Sequence, residues 1–279
     1  MKNKLLKISL VGKTNAGKST LINTLVGEKI SITNKKINTT EVLISGILNI
    51  KENQLIFYDT PGISNLHGSN VNNHSFKQNL WEALNNCNII LYVIDSIKIN
   101  YNEIKKNYLK LSELNKEILI VFNKIDLVSK NDLLPITKEI SQNLNTYNFF
   151  YISAKLQKGI NILKKSLVKK TLEKNWLYFQ NEISNKDDVF ISNECTRNEI
   201  LSQLHKEIPY RLKVQNCIFK YLKNGDLKIK QKIIINNKRY KKIVLGKNGS
   251  KIKEIRVNSQ KILSKIFNKN VHLYINLVI

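Results

Sequence analysis

The segment "GKTNAGKS", residues 12–19, constrains this chain more than any other. It fits G-x-x-x-x-G-K-[ST] at every fixed position. The apolar run "LLKISLV" precedes it and a helical stretch, 19–25, follows. A glycine loop between a strand and a helix is a phosphate cradle. Its glycines let the backbone curl until the N–H groups face a β-phosphate, and the helix N-terminus adds positive partial charge. Lys18 then reaches the β- and γ-phosphates, and Ser19 offers a hydroxyl to Mg2+. This assigns Gly12, Lys13, Thr14, Asn15, Ala16, Gly17, Lys18, Ser19 and Thr20 to nucleotide binding.

Further apolar runs follow: "EVLISGIL", "QLIFYDT", "NIILYVIDS", "EILIVFNKID" and "FFYISAK". Helical stretches such as 79–84 and 103–114 lie between several of them. The alternation predicts an α/β domain over residues 1–168, a mostly parallel sheet with helices on both faces. Ligands of such sheets sit beyond the carboxyl ends of the strands, so the candidate residues should follow the runs. "NKID" brings Asn123, Lys124 and Asp126. A carboxylate there can accept from guanine N1–H and the N2 amine, a donor pair that adenine lacks. "SAK" brings Ser153, Ala154 and Lys155, whose backbone N–H groups can meet guanine O6. The order of these motifs after the phosphate loop points to GTP and GDP rather than ATP. "DTPG" adds Asp59, Thr60, Pro61 and Gly62. Asp59 is expected to hold Mg2+ through water, and the Gly62 N–H to sense the γ-phosphate. In "NTTEV", Thr39 or Thr40 can bring a hydroxyl to the metal, with Thr40 preferred. The metal set is therefore Ser19, Thr40 and Asp59. Ile63 stands where Ras-type GTPases carry a water-orienting Gln, and an isoleucine cannot orient water by hydrogen bonding.

The pattern changes after Lys165. Residues 169–186 show no clear period and are expected to be a linker. Residues 187–279 then read as α-β-β-α-α-β. Ile191, Cys195, Ile200 and Leu204 lie near one face of the first helix. Asn224-Gly225 marks a hairpin, and Ile252, Ile255, Ile262 and Ile266 line the buried side of a later helix. "GKNG", residues 246–249, has two residues between its glycines, too few for a second nucleotide cradle. Between two helices, G-x-x-G is the loop of a KH domain, which clamps about four nucleotides of a single strand. Gly246, Lys247, Asn248 and Gly249 form that loop, and Lys251 and Lys253 extend its basic rim. The order of elements assigns a smaller α+β domain, a type II KH fold. Charge agrees: the formal net charge is +25, and residues 226–279 hold 14 basic and two acidic residues. A polyanion is the natural partner, nucleic acid before anionic lipid.

Other classes are excluded or weak. Cys87, Cys195 and Cys217 form no CxxC pair, which argues against a zinc site or disulfide framework. His67, His74, His205 and His272 show no ligand spacing. Trp81 and Trp176 are expected to be packing anchors. The N-terminal apolar run leads straight into the glycine loop and reads as a strand, not a signal peptide. No run approaches the ~18 apolar residues of a membrane span. A cytoplasmic monomer is expected.

This combination of a threonine pair, "DTPG" and a type II KH segment resembles the Era family of bacterial ribosome-assembly GTPases, over nearly the whole chain. "SITNKKINTTEV", "EIPY", "IVLGKNGSKIKEI" and "KNVHLYINLVI" are similar to that family's segments; Glu41 stands where it usually shows Arg. The resemblance implies GTP hydrolysis coupled to recognition of the 3′ end of small-subunit rRNA on the assembling 30S particle. It implies a catalytic set of Lys18, Thr40, Gly62 and Asn15. In related GTPases an asparagine at the position of Asn15 helps hold K+ against the phosphates, doing the work of an arginine finger. Two other readings stay open. One is an RNA chaperone with GTP as a static ligand. The other is a GTPase in peripheral contact with the inner membrane.

Overall fold

The structure, a computed structural model, describes residues 2–27, 44–60, 62, 74–180, 182–203, 212–235 and 238–278. The chain divides into two compact units, with the boundary between Asn185 and Lys186.

In the first unit the strands are β1 (Lys4–Val11), β2 (Ile44–Ile50), β3 (Asn53–Asp59), β4 (Ile89–Asp95), β5 (Glu117–Asn123), β6 (Phe149–Tyr151) and β7 (Leu172–Glu173). The helices are α1 (Lys18–Val26), α2 (His74–Asn86), α3 (Tyr101–Ser112), α4 (Lys130–Leu144) and α5 (Ile160–Lys169). Among the described residues the sheet order is β2-β3-β1-β4-β5-β6, with β7 beside β1. Strands β3, β1, β4, β5 and β6 pair in parallel, while β2 and β7 pair antiparallel with their neighbours.

The continuous apolar runs are explained by cover on both faces. Along β1, Leu6, Ile8 and Leu10 face a cluster with Leu21, Ile22 and Leu25 of α1 and Leu163 and Leu167 of α5. Leu5 and Val11 face the opposite cluster, with Leu80 and Leu84 of α2, Ile104 of α3 and Ile140 of α4. Strand β4 divides in the same way, Leu91 and Val93 one way, Ile90 and Tyr92 the other. Each fully buried side chain of this kind contributes about 1.5–3 kcal/mol.

Residues 169–186 are expected to be a linker; the described residues 172–180 and 182–185 within them are instead hydrogen-bonded along the first unit. β7 pairs with β1. The Trp176 indole donates to the Glu52 carbonyl (3.0 Å), and the Leu177 N–H donates to the Gln54 side chain (2.9 Å). The Ile47 N–H donates to the Ile183 carbonyl (2.9 Å). Backbone bonding of this kind needs no side-chain period, so nothing in the sequence announces it. Trp176 is thus an anchor. Trp81 is not, since it is 47% exposed.

The second unit contains α6 (Asp188–Gln203), β8 (Leu212–Tyr221), β9 (Leu227–Ile235), α7 (Lys238–Leu245), α8 (Ser250–Phe267) and β10 (Val271–Val278), the α-β-β-α-α-β order read from sequence. Its sheet runs β10-β9-β8; β9 pairs antiparallel with β8 and parallel with β10. Gly225, at φ 84°, closes the β8–β9 turn. Ile191, Cys195, Ile200 and Ile255 are buried as expected, and Ile252, Ile262 and Ile266 pack against the clusters. Leu204 lies outside the described residues. Among the described residues no helix is long and apolar enough to cross a membrane.

Candidate functional site

The phosphate loop leaves the end of β1 and enters α1 at Lys18. Two of its glycines are required by crowding. A Cβ on Gly12 would stand 2.2 Å from the Val93 carbonyl oxygen. One on Gly17 would stand 2.3 Å from the Asn123 side-chain nitrogen, at φ 92°, where L side chains are already strained. Lys18 is buried, and its ammonium donates to the carbonyls of Gly12 (2.9 Å) and Lys13 (3.0 Å). Burial pulls its pKa down from the ordinary 10.5 to about 8, against the opposing charge of Asp59. The Ser19 hydroxyl donates to the buried Asp59 carboxylate at 2.6 Å. Thr60 anchors the same strand end by donating to the Leu10 carbonyl (2.5 Å). Gly62 abuts the loop so closely that a Cβ would stand 2.4 Å from the Thr14 hydroxyl. Lys13 pairs with Glu103 at the N-terminal turn of α3.

The carboxyl ends of β5 and β6 bring the other motifs to the same rim, and Asn123 ties them together. Its buried amide donates to the Ala16 carbonyl (2.9 Å) and accepts from the N–H groups of Lys124 (2.9 Å) and Ala154 (3.0 Å). One side chain thus joins the phosphate loop, its own loop and the "SAK" loop. The Lys124 ammonium crosses the phosphate loop, donating to the Asn15 carbonyl (2.7 Å) and the Asp95 carboxylate (2.6 Å). Thr24 of α1 donates to the Ala154 carbonyl (2.9 Å). Asp126, half-buried, accepts no hydrogen bond from another described residue. Ser153 is buried and Lys155 exposed. Thr39, Thr40, Pro61 and Ile63 lie outside the described residues.

The second glycine loop joins α7 to α8. Gly246, Asn248 and Gly249 all have positive φ, at 72°, 52° and 74°. A Cβ on Gly246 would stand 2.6 Å from Lys251 Cβ, whereas one on Gly249 would meet nothing within 4 Å. Lys247, Asn248 and Lys253 are exposed, and Lys251 is half-buried. Gly249 caps α8 without a side-chain bond, so the cap residue leaves the first N–H groups of that helix without a side-chain acceptor.

Family models for a 50S ribosome-binding GTPase and for a KH domain match residues 7–124 and 207–279. The chain is 38% identical to GTPase Era of Rickettsia conorii over 273 residues, covering 98% of this chain and 79% of that one. It belongs to the Era GTPase family. Era of Rickettsia typhi is also 38% identical, over 98% of this chain and 91% of that protein. Two solved Era structures superpose with a TM-score of 0.87 at 31% identity, covering 99% of this chain and 93% of theirs. One is a complex with MgGDPNP and nucleotides 1506–1542 of 16S ribosomal RNA; the other is an Aquifex aeolicus Era variant bound to GDP·AlF4−.

Within this Era fold, sequence reasoning missed Asp95 and Thr24. Asp95 ends β4, the position where these sheets carry ligand-side residues, and that was the available signal. Thr24 had none, because its partner Ala154 is 130 residues away.

Proposed function

We propose that this chain is a GTP-hydrolysing switch whose KH domain binds the 3′ end of small-subunit rRNA, and that it acts in assembly of the 30S particle. The observation that carries the reading is the Asn123 clamp. It holds the phosphate loop and both base loops at one rim, so phosphates at residues 12–19 leave the base beside Asp126 and Ala154. The Era complex with MgGDPNP and 16S nucleotides supports the pairing of the two ligands.

Hydrolysis is in-line attack of water on the γ-phosphate. Lys18 exchanges its loop carbonyls for β- and γ-phosphate oxygens, and the N–H of Gly62 meets the γ-phosphate. The Ser19 hydroxyl and Asp59 carboxylate are hard oxygen donors 2.6 Å apart, a set that suits Mg2+. Thr40 is assigned as a further donor, and Asp59 acts through water. When bound, the metal offsets charge on the β- and γ-phosphates. With Ile63 unable to orient water, Asn15 is assigned to hold K+ beside the phosphates. Faster turnover in K+ than in Na+ is the expected result. We assign the protein to the cytoplasm as a monomer.

The deciding experiment is RNA binding by the GTP-loaded protein. A short oligonucleotide copying the host rRNA 3′ end is compared with a scrambled control across salt. Preference for the rRNA sequence near physiological salt is expected. Equal binding that vanishes with salt would mean charge alone is acting.

A further inference from the structure

Two consecutive residues of the base motif grip two consecutive carbonyls of the phosphate loop. Asn123 holds the Ala16 carbonyl through its amide (2.9 Å), and Lys124 holds the Asn15 carbonyl through its ammonium (2.7 Å). The two grips differ in kind. The Asn123 amide is short, buried and fixed by the N–H groups of Lys124 and Ala154. The Lys124 tail is long, and a lysine side chain has much rotamer freedom to lose. One bond to a neutral carbonyl is a weak hold on such a tail.

Asp95 supplies the second hold. It ends β4, directly beside Asn123 in the β4–β5 register. Its Oδ2 accepts from the Lys124 ammonium at 2.6 Å, and its Oδ1 accepts from the Ile97 N–H at 3.0 Å. Both carboxylate oxygens are therefore engaged. The turn that presents them is itself tied down: the Lys98 N–H donates to the Asp95 carbonyl (3.0 Å), and the Ser96 N–H to the Asn123 carbonyl (3.0 Å). The side chains of Lys124 and Asp95 are 29% and 11% exposed, the most enclosed lysine–carboxylate pair among the described residues. A charge-assisted bond of this kind is roughly twice as strong as a neutral one. The backbone shows what the pair holds. Asn15 and Lys124 both have φ 66°, in the left-handed region although neither is glycine. The Ala16 N–H donates to the Lys13 carbonyl (3.2 Å), which makes Asn15 the third residue of a tight turn. Residues in such conformations persist where their surroundings over-determine them. Here the Lys124 ammonium joins one to the other, and Asp95 keeps the ammonium in place.

We propose that Asp95 is a positioning residue for the nucleotide: it locks Lys124 onto the phosphate loop, and this lock sets how long GDP stays bound. The pair ties the loop that cradles the phosphates to the loop that reads the base. With the lock closed the two loops move as one body, and a nucleotide gripped by both must be released at both ends together. With the lock open each loop yields separately, and release is faster. The inference deepens the GTP reading of this site and rests on it.

The test uses the full-length chain loaded with a fluorescent GDP analogue and chased with unlabelled GDP. Asp95→Ala should release the analogue at least about tenfold faster. Asp95→Asn keeps an acceptor without the charge, and its release rate should fall between. Because Asp95 acts through Lys124, its effect should vanish once the ammonium is gone: adding Asp95→Ala to Lys124→Met should change release by less than about twofold. A merely structural Asp95 would give additive effects in the double variant, and that result overturns the proposal. Unchanged release in Asp95→Ala overturns it as well. So does Asp95→Asn releasing as fast as Asp95→Ala with the thermal midpoint lowered in both, since folding rather than the lock would then be lost. Failure of the unmodified chain to hold GDP would break the GTP reading and this one with it. GDP held by that chain and released no faster from Asp95→Ala breaks this one alone.

Discussion

The two glycine loops of this chain use the same residue types for opposite purposes. In the first, both glycines are pressed against another part of the fold, Gly12 against Val93 and Gly17 against Asn123, and Gly62 of a separate motif is pressed in turn against Thr14. Its lysine is buried and bonded to the loop itself. In the second, Gly249 looks into open space, and Lys247 and Asn248 are exposed. An enclosed loop suits a small ligand surrounded on all sides. A projecting loop suits a polymer that passes by. The difference teaches that the first loop's glycines answer to residues far along the chain, whereas those of the second answer to the loop's own backbone and its neighbour Lys251.

The sharpest way to break this contrast is Lys18→Ala. Loss of a buried charge partner costs about 3 kcal/mol or more, so GTP affinity should fall at least about a hundredfold. RNA binding through the second loop should be unaffected. Retained turnover would refute the phosphate-loop assignment. Next is Asn123→Ala, which leaves the Lys124 and Ala154 N–H groups and the Ala16 carbonyl without their partner. A loss of about 2–3 kcal/mol in the stability of the first unit is expected, read as a lower urea midpoint. Replacing Lys247 and Asn248 by Asp should weaken binding of the rRNA oligonucleotide about tenfold and leave GTP affinity near wild type. Loss of both would show that the loops are not independent. Gly249→Ala sharpens the comparison: with no clash to relieve, it should cost only about 1 kcal/mol of left-handed strain, whereas a Cβ at Gly12 meets backbone that cannot yield.

The smallest effect is a pH dependence carried by Lys18. Its charged form binds phosphate, and burial sets its pKa at about 8. GTP affinity should therefore fall about fourfold between pH 7 and 8.5. The unliganded fold responds with the opposite sign. Between about 8 and 10.5 the unfolded chain holds a proton that the native chain has released, so stability rises with pH across that window. Isothermal titration and urea unfolding over the same pH range check both signs.

Much of this was legible in the sequence because its signals are local. The phosphate loop needs its glycines and Lys18 within eight consecutive positions, and the strand before it needs a continuous apolar run. The KH order could be read from alternating periods and one hairpin turn. The docking of residues 172–180 and 182–185 could not, because they are held by main-chain bonds and the single side chains of Trp176 and Gln54. Asn123 was legible as part of a base motif, but its grip on Ala16 spans 107 residues of sequence.

The alternating "LKIKQKIII" shows the same division. Its period of two establishes a strand with one apolar and one basic face. Which lysines stand opposite one another, and that Lys220 joins them, was decided by the β8–β9 register and its bulge. By itself the sequence determined what chemistry this protein carries, since phosphate cradles and turns are set by neighbours along the chain. Only the tertiary structure decided which distant groups share a rim or a face, because hydrogen bonds and charge repulsion act through space and leave no mark on local order.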